Sequence, residues 1–272
     1  MPVYERLSMV VSFILIGLAL YFIIDLPARV FHLTILNQTL TITASQRLLM
    51  VILLGGLAFT GSGAVIRAHP QQRVSYTVPF WVNATLIVVL ATLLLVQAGN
   101  PIVWAMGLFA TGLLLWFTIL AEYYVVETQS QRESQPVRFK AAQLWSQWVS
   151  YTLLAIYAIL LKEAQVTVMA SLIGLFSLSW LLAASIFKLH RPEAKNKGVW
   201  GFLVALTISQ VSWVLTYWPL NPTSLGLLIL LLFYALCGLI SNHLQGKLSR
   251  RIVLEYGLVA VIGVGLVVQL MR

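Results

Sequence analysis

Charged side chains are scarce in this chain. They make up 9% of the 272 residues, whereas hydrophobic residues make up 60% and the mean hydropathy is +0.91. An average soluble domain carries about 25% charged residues, so this composition excludes a water-soluble globular fold. The chain is therefore predicted to have the lipid bilayer as its main solvent.

Cysteine and histidine are too few, or wrongly placed, for several kinds of site. A single cysteine, Cys237, allows no internal disulfide and no cysteine-based metal site. The four histidines lie outside the long apolar runs or at their edges, so none is placed to bind haem at mid-depth. Zinc-helix, Walker-type and paired-aspartate motifs are missing as well. We therefore expect no cofactor, no metal and no enzymatic activity.

Long apolar runs are what the chain has in abundance. A membrane-spanning helix needs about 20 mainly apolar residues, and a continuous run favours a helix over the alternating strands of a barrel. Nine runs meet this length: residues 8–24, 48–66, 77–96, 102–121, 144–161, 166–187, 199–218, 225–241 and 252–270. The predicted fold is all-α, a polytopic membrane bundle of nine transmembrane helices in a single domain over residues 1–272.

Basic residues fall mainly in alternate loops between these runs. If the N-terminus is cytoplasmic, 13 of the 17 lysines and arginines lie on the cytoplasmic side. Short cytoplasmic loops carry this excess, so an inner-membrane protein with a cytoplasmic N-terminus and an extracytoplasmic C-terminus is predicted. The net charge of +9 then belongs to loops at the lipid surface, and no nucleic-acid partner is expected.

Two short motifs recur 121 residues apart. Arg67-Ala68-His69 corresponds to Lys188-Leu189-His190, and a proline follows each within two residues; Asn100-Pro101 corresponds to Asn221-Pro222. Four spans per unit would leave both units in the same orientation, as in the parallel repeats of some transporters. The hypothesis is a 4+4+1 arrangement, in which helices one to four and five to eight arose by duplication and helix nine was added.

The outer loop at residues 29–46 has a pattern of its own. From Phe31 to Thr43 apolar residues largely alternate with threonine and other polar residues, on either side of Asn37-Gln38. Alternation with period two is typical of a strand. The loop is predicted to form a small β-hairpin, with an irregular interfacial loop as the alternative.

Carboxylates close to the spans are the first candidates for function, because ionisable groups inside a membrane are costly and often functional. Glu122 follows helix four and Glu255 begins helix nine, both at the cytoplasmic level. Arg251 precedes Glu255 by four residues, the spacing of an ion pair on one helix face. Anchoring ion pairs at helix ends are predicted for both glutamates, in preference to a proton relay.

Helix seven is the most polar span. Gln210, Trp213 and Tyr217 share one of its faces, and helix three contributes Asn83. These four residues are the candidates for lining a polar cavity. The alternative, hydrogen bonds that hold helices together, is the commoner role of such side chains.

The last third of the chain resembles a known family. The residues that carry the resemblance are Trp213 to Pro219, Phe233-Tyr234 with Gly238, and Leu254-Glu255-Tyr256. They are similar to a family of uncharacterised bacterial multi-pass membrane proteins. The resemblance implies a bacterial inner membrane, and it brings neither an activity nor a functional residue.

Two functions from different classes are left open. Few charges in the spans, with many tryptophans, small residues and hydroxyls, favour a non-enzymatic scaffold or accessory subunit of a membrane complex. Its partners would be the lipid bilayer and other membrane proteins. The alternative is a transporter or flippase of a lipophilic or weakly polar solute, favoured by the repeat and by the polar face of helix seven. The sequence predicts neither the substrate nor the oligomeric state.

Overall fold

Nine helices and one pair of strands make up the part of the chain that the structure describes. The structure is a computed structural model, and it describes residues 3–23, 29–35, 38–44, 46–67, 81–130, 136–190 and 196–270. In chain order the elements are α1 (Val3–Ile23), β1 (Arg29–Ile35), β2 (Gln38–Ala44), α2 (Gln46–Arg67), α3 (Val82–Leu95), α4 (Pro101–Ser130), α5 (Pro136–Glu163), α6 (Val168–His190), α7 (Lys197–Thr216), α8 (Pro222–Leu244) and α9 (Arg250–Leu270).

Seven of these helices are long and apolar enough to cross a membrane, namely α1, α2 and α4 to α8. The all-α class is therefore confirmed. Helix α3 is apolar but has only 14 residues, with Trp81 as its N-cap. Helix α9 is not among the seven. The described residues thus support seven spans where the sequence predicted nine.

Strands β1 and β2 form an antiparallel hairpin in the segment whose alternation predicted one. The pairing runs from Arg29 with Ala44 to Ile35 with Gln38, and it includes Phe31 with Ile42 and Leu33 with Leu40. Gln38 is the first residue of β2.

The chain divides into two compact units, residues 1–132 and 133–272. In the first unit α1 packs on α2 and α4, α3 packs on α2 and α4, and α2 also contacts α4. In the second unit α5 packs on α6 and α8, α7 packs on α6 and α8, and α6 also contacts α8. The neighbours of α1 to α4 thus recur in the same order in α5 to α8, and α9 packs on α8 as an additional helix.

The turns between the third and fourth helix of each unit correspond at the offset of 121 residues. Helix α3 ends at Leu95 and α4 begins at Pro101; α7 ends at Thr216 and α8 begins at Pro222. Proline suits this first helical position because its missing N–H has no partner to lose there. Equivalent backbone hydrogen bonds occur at both turns: Trp104 N to Asn100 O (3.0 Å) with Leu225 N to Asn221 O (3.1 Å), and Gln97 N to Leu94 O (3.0 Å) with Trp218 N to Leu215 O (3.2 Å).

An aromatic pair between the second and third helix also recurs at this offset. Phe59 and Trp81 pack edge to face with ring centroids 4.2 Å apart, and Trp180 and Phe202 do so at 6.5 Å. The first unit has phenylalanine on the second helix and tryptophan next to the third, whereas the second unit has the reverse. The aromatic contact therefore recurs although the residue at each position differs. Edge-to-face pairs add about 0.5–1.5 kcal/mol beyond the area they bury.

Burial follows the same correspondence in the second and third helices. Nine buried positions of the first unit are buried again 121 residues later: Leu54, Ala58, Ser62, Val65 and Ile66 with Leu175, Ser179, Ala183, Ile186 and Phe187, and Asn83, Ala84, Ile87 and Ala91 with Val204, Ala205, Ile208 and Ser212. Helices α4 and α8 share one buried position among the described residues, Gly112 and Phe233. Helix α8 differs in having α9 as an additional neighbour.

Candidate functional site

The four residues predicted to line a cavity are divided between the two units. Asn83 is buried in the first unit, whereas Gln210, Trp213 and Tyr217 are exposed on α7 in the second, the last two by 51% and 78%. Helical spacing places these three residues on one side of α7, and all three side chains are exposed. The inward face of α7 carries Ser212 instead, because the close-packed side of the helix is the one with small residues.

A cavity does occur in the second unit, at the end where α5 is connected to α6 and α7 to α8. It has a volume of about 290 Å³, and we call it the α5–α8 cavity. All four helices and the connection at residues 164–167 contribute to its wall. Its lining residues are Ala158, Leu161, Lys162, Gln165, Val166, Val168, Ser171, Leu175, Ser212, Thr216 and Leu225.

The end of α5 positions the cation and the amide of this cavity. Gln165 has a left-handed backbone (φ 48°), and its N–H donates to Lys162 O at 3.2 Å while Val166 N–H donates to Leu161 O at 3.4 Å. Left-handed residues of this kind close helix C-termini. The chain therefore turns sharply after Glu163, and Lys162 and Gln165 both come to line the cavity.

Hydroxyl groups supply the remaining polar lining of the α5–α8 cavity. Thr216 donates its hydroxyl proton to Ser212 O at 2.9 Å, and the Ser212 side chain is buried. Ser171, on α6, also lines the cavity. Lys162 is the one charged residue among the described lining residues, so the cavity combines a single positive charge with hydroxyls and aliphatic walls.

Glu122 differs from its prediction in two respects. Helix α4 continues to Ser130, so Glu122 lies within the helix and not at its end. Its side chain is 1% exposed, and Oε2 has no hydrogen-bond partner among the described residues. No ion pair of Glu122 occurs in the described part of the chain, where an anchoring pair had been predicted. A buried carboxyl group without a partner is expensive as an anion.

Two more polar atoms without partners lie in the same unit as Glu122. Within the described residues, the buried Trp81 Nε1 and Thr85 Oγ1 have no hydrogen-bond partner. With Glu122 Oε2 in the same unit and Ser241 Oγ in the second, the described residues contain four such atoms. Trp81 packs beside Gly63, and the Arg67 guanidinium carbon lies 5.1 Å from its ring centroid. Buried polar groups nearly always have a partner. Three such atoms therefore make the interior of the first unit more polar than its largely apolar composition suggests. No sequence pattern indicated this.

Glu255 has the partner that its spacing predicted. Arg251 Nε donates to Glu255 Oε1 at 3.1 Å, and both side chains are largely exposed. Exposed pairs of this kind contribute about 0.3–0.5 kcal/mol. The pair joins two successive turns at the beginning of α9.

The described residues contain no group of three or more His, Cys, Asp or Glu side chains placed to hold a metal ion. Apolar helices with a few buried polar groups and one lined cavity are the features of a polytopic helical membrane protein. The chain belongs to a family described as protein of unknown function, DUF5656, which it matches over residues 26–270. The predicted membership of an uncharacterised family is thereby confirmed. No curated protein and no solved structure matches the chain.

Proposed function

We propose that this protein is a non-enzymatic subunit of a membrane complex and that α7 binds a helix of another membrane protein. The observation that carries the proposal is the position of Gln210, whose amide is exposed in the second half of an apolar span. Lipid offers no hydrogen-bond partner to an amide. A polar side chain on a second helix does, and such pairs are worth about 0.6–2 kcal/mol in membranes.

The residues around Gln210 form a stripe suited to one helix partner. Leu203, Leu206, Gln210, Trp213 and Tyr217 follow one another at intervals of three, four, three and four residues, and all five are exposed. This alternation of three and four matches the left-handed crossing of paired helices. Rigid aromatic side chains also provide much contact area for little lost entropy.

Replacing Gln210 with leucine tests the proposal. We expect the variant to lose its partner about threefold to tenfold during purification, because one interhelical hydrogen bond disappears. The tagged protein is extracted from its native membrane in a gentle detergent, and copurifying proteins are quantified by mass spectrometry. The control is Gln269→Leu, the same change at an exposed position of α9. Recovery of the protein alone, or of the same partner in full with Gln210→Leu, would contradict the proposal.

A second candidate is transport of a lipophilic or weakly polar solute. Its support is the internal correspondence of the two units, which we interpret as a parallel duplication of four helices with α9 added. The buried Glu122 carboxyl group, whose Oε2 has no partner among the described residues, adds to it, since buried ionisable groups often lie on solute or proton pathways. A protein that purifies without a protein partner but with one defined lipid or small molecule would favour transport.

The orientation proposed for both functions is a cytoplasmic N-terminus, in the inner membrane. We expect Ala98→Cys, between α3 and α4, to react with an impermeant maleimide in intact cells. Lys247→Cys, between α8 and α9, should react only after permeabilisation, because the basic loops are cytoplasmic. Both variants are made in a Cys237→Ala background, which removes the one native thiol. The opposite labelling pattern would mean that the N-terminus is extracytoplasmic.

A further inference from the structure

The α5–α8 cavity lies where the equivalent positions of the first unit carry larger or less polar side chains. At the offset of 121 residues, Ser171, Ser212, Thr216 and Leu225 correspond to Met50, Ala91, Leu95 and Trp104. Three hydroxyl groups of the second unit therefore replace three apolar side chains, and a leucine replaces a tryptophan. At these three positions the hydroxyl groups occur in the second unit alone.

The first helices of the two units correspond at an offset of 136 residues, because the hairpin lengthens the first unit. Six exposed positions of α1 are again exposed in α5, namely Tyr4, Glu5, Ser8, Met9, Ser12 and Ile16 with Lys140, Ala141, Leu144, Trp145, Trp148 and Thr152. At this offset Phe22 corresponds to Ala158, which lines the cavity.

The corresponding positions of the first unit carry two aromatic side chains, of which Phe22 is 49% exposed. Phe22 and Trp104 stack with ring centroids 4.6 Å apart. Their counterparts, Ala158 and Leu225, are both smaller, and both lie in the cavity wall. Smaller side chains at these positions leave more room in the second unit, and hydroxyl groups line the α5–α8 cavity there.

We infer that the α5–α8 cavity binds an amphiphile with an acidic head group. Lys162 supplies the positive charge, while the Gln165 amide and the Ser212 hydroxyl are polar groups within reach of the same space. No carboxylate is among its lining residues. Leu175 and Leu225 provide an aliphatic wall for the first part of a hydrocarbon chain.

The size and position of the cavity fit this class of ligand. Its volume of about 290 Å³ is at the lower end of ligand pockets, which measure about 300–1,000 Å³, so it takes a head group and the beginning of a chain. Lys162 lies in the last turn of α5, where a spanning helix reaches the level of lipid head groups. Either a free fatty acid or an anionic phospholipid of the bilayer presents this chemistry.

Binding of defined probes to the purified full-length protein tests the inference. The acidic probes are oleate and phosphatidylglycerol, and the matched probes without net charge are oleyl alcohol and phosphatidylcholine, each counted by native mass spectrometry from an uncharged detergent. We expect saturable binding of at least one acidic probe, about tenfold tighter than that of its matched probe, as one charged hydrogen bond provides. The acidic probe that binds identifies the source of the ligand.

Two variants locate the bound probe. Lys162→Gln is expected to lower the affinity for the acidic probe about tenfold, whereas Lys247→Gln, an exposed cation outside the cavity, should leave it unchanged. Ala158→Phe introduces the aromatic side chain of the first unit and should abolish saturable binding. Its control is Ala170→Phe on the exposed face of α6.

The inference is overturned if neither acidic probe binds saturably, if the uncharged probes bind equally well, or if Lys162→Gln binds as the wild type does. Because Lys162→Gln leaves the helix packing intact, this last result decides the matter even where Ala158→Phe fails to fold. Loss of a protein partner in Gln210→Leu has no bearing on this outcome, since Gln210 does not line the cavity.

Discussion

Replacing Glu122 with leucine is expected to stabilise the protein by about 2 kcal/mol. The carboxyl group is buried and Oε2 has no partner among the described residues, and a buried polar group without a hydrogen bond costs about 1–3 kcal/mol in mutational data. Leucine fits a similar volume with no polar atom. For a chain of this length, a gain of 2 kcal/mol raises the midpoint of thermal unfolding by about 4–8 °C, which is measurable in detergent.

The matched control is Glu255→Leu, which removes a carboxylate from an exposed ion pair. Its effect should stay within about 0.5 kcal/mol. A lower unfolding midpoint for Glu122→Leu would mean that Glu122 has a stabilising partner, and the interpretation of its carboxyl group as a costly one would be wrong. A stabilised Glu122→Leu protein implies that the glutamate is retained for function, because stability alone would select leucine.

Replacing Gly226 with leucine is expected to destabilise the protein by about 3 kcal/mol or more, beyond the usual cost of overpacking. A Cβ atom at Gly226 would lie 2.5 Å from Ile159 Cγ1 and 3.0 Å from the Ala155 carbonyl oxygen. The carbonyl belongs to the backbone of α5 and has no rotamer to escape into. Helices α5 and α8 would have to separate, and the wall of the α5–α8 cavity would open with them.

Gly56→Leu is the control for this substitution, since no atom lies within 4 Å of a Cβ built at Gly56. Leucine is a better helix former than glycine by up to about 1 kcal/mol, so this variant should unfold at the wild-type temperature or above it. Thermal unfolding of both variants in one detergent gives the comparison. Equal stability of the two would show that the close approach of α5 and α8 at Gly226 is unimportant.

Hydropathy located the helices well but not their ends. The predicted span at residues 225–241 lies within α8, and that at 144–161 lies within α5 (Pro136–Glu163). A spanning helix that continues beyond the apolar region has no hydropathy signal there, because its polar end is still helical. The same effect hid the true position of Glu122, which has two further helical turns after it in α4.

Which side of a helix faces inward was not predictable from the sequence. Gln210, Trp213 and Tyr217 share a face because helical spacing requires it, and the structure shows them together. Their outward direction depends on packing, since lipid is as apolar as the bundle interior and the hydrophobic effect does not favour either side. Close packing of small residues decides instead, and it turned Ser212 inward.

The sequence by itself determined the membrane class, the family, the hairpin segment and the approximate helices, because each depends on local composition or spacing. Only the tertiary structure decided that Glu122 is buried, with no partner for Oε2 in the described part of the chain, and that a cavity forms among α5, α6, α7 and α8. The lining residues of that cavity extend from Ala158 to Leu225, and no linear pattern links them. Their meeting depends on the volumes of side chains on four helices, which are compared only when those helices pack together.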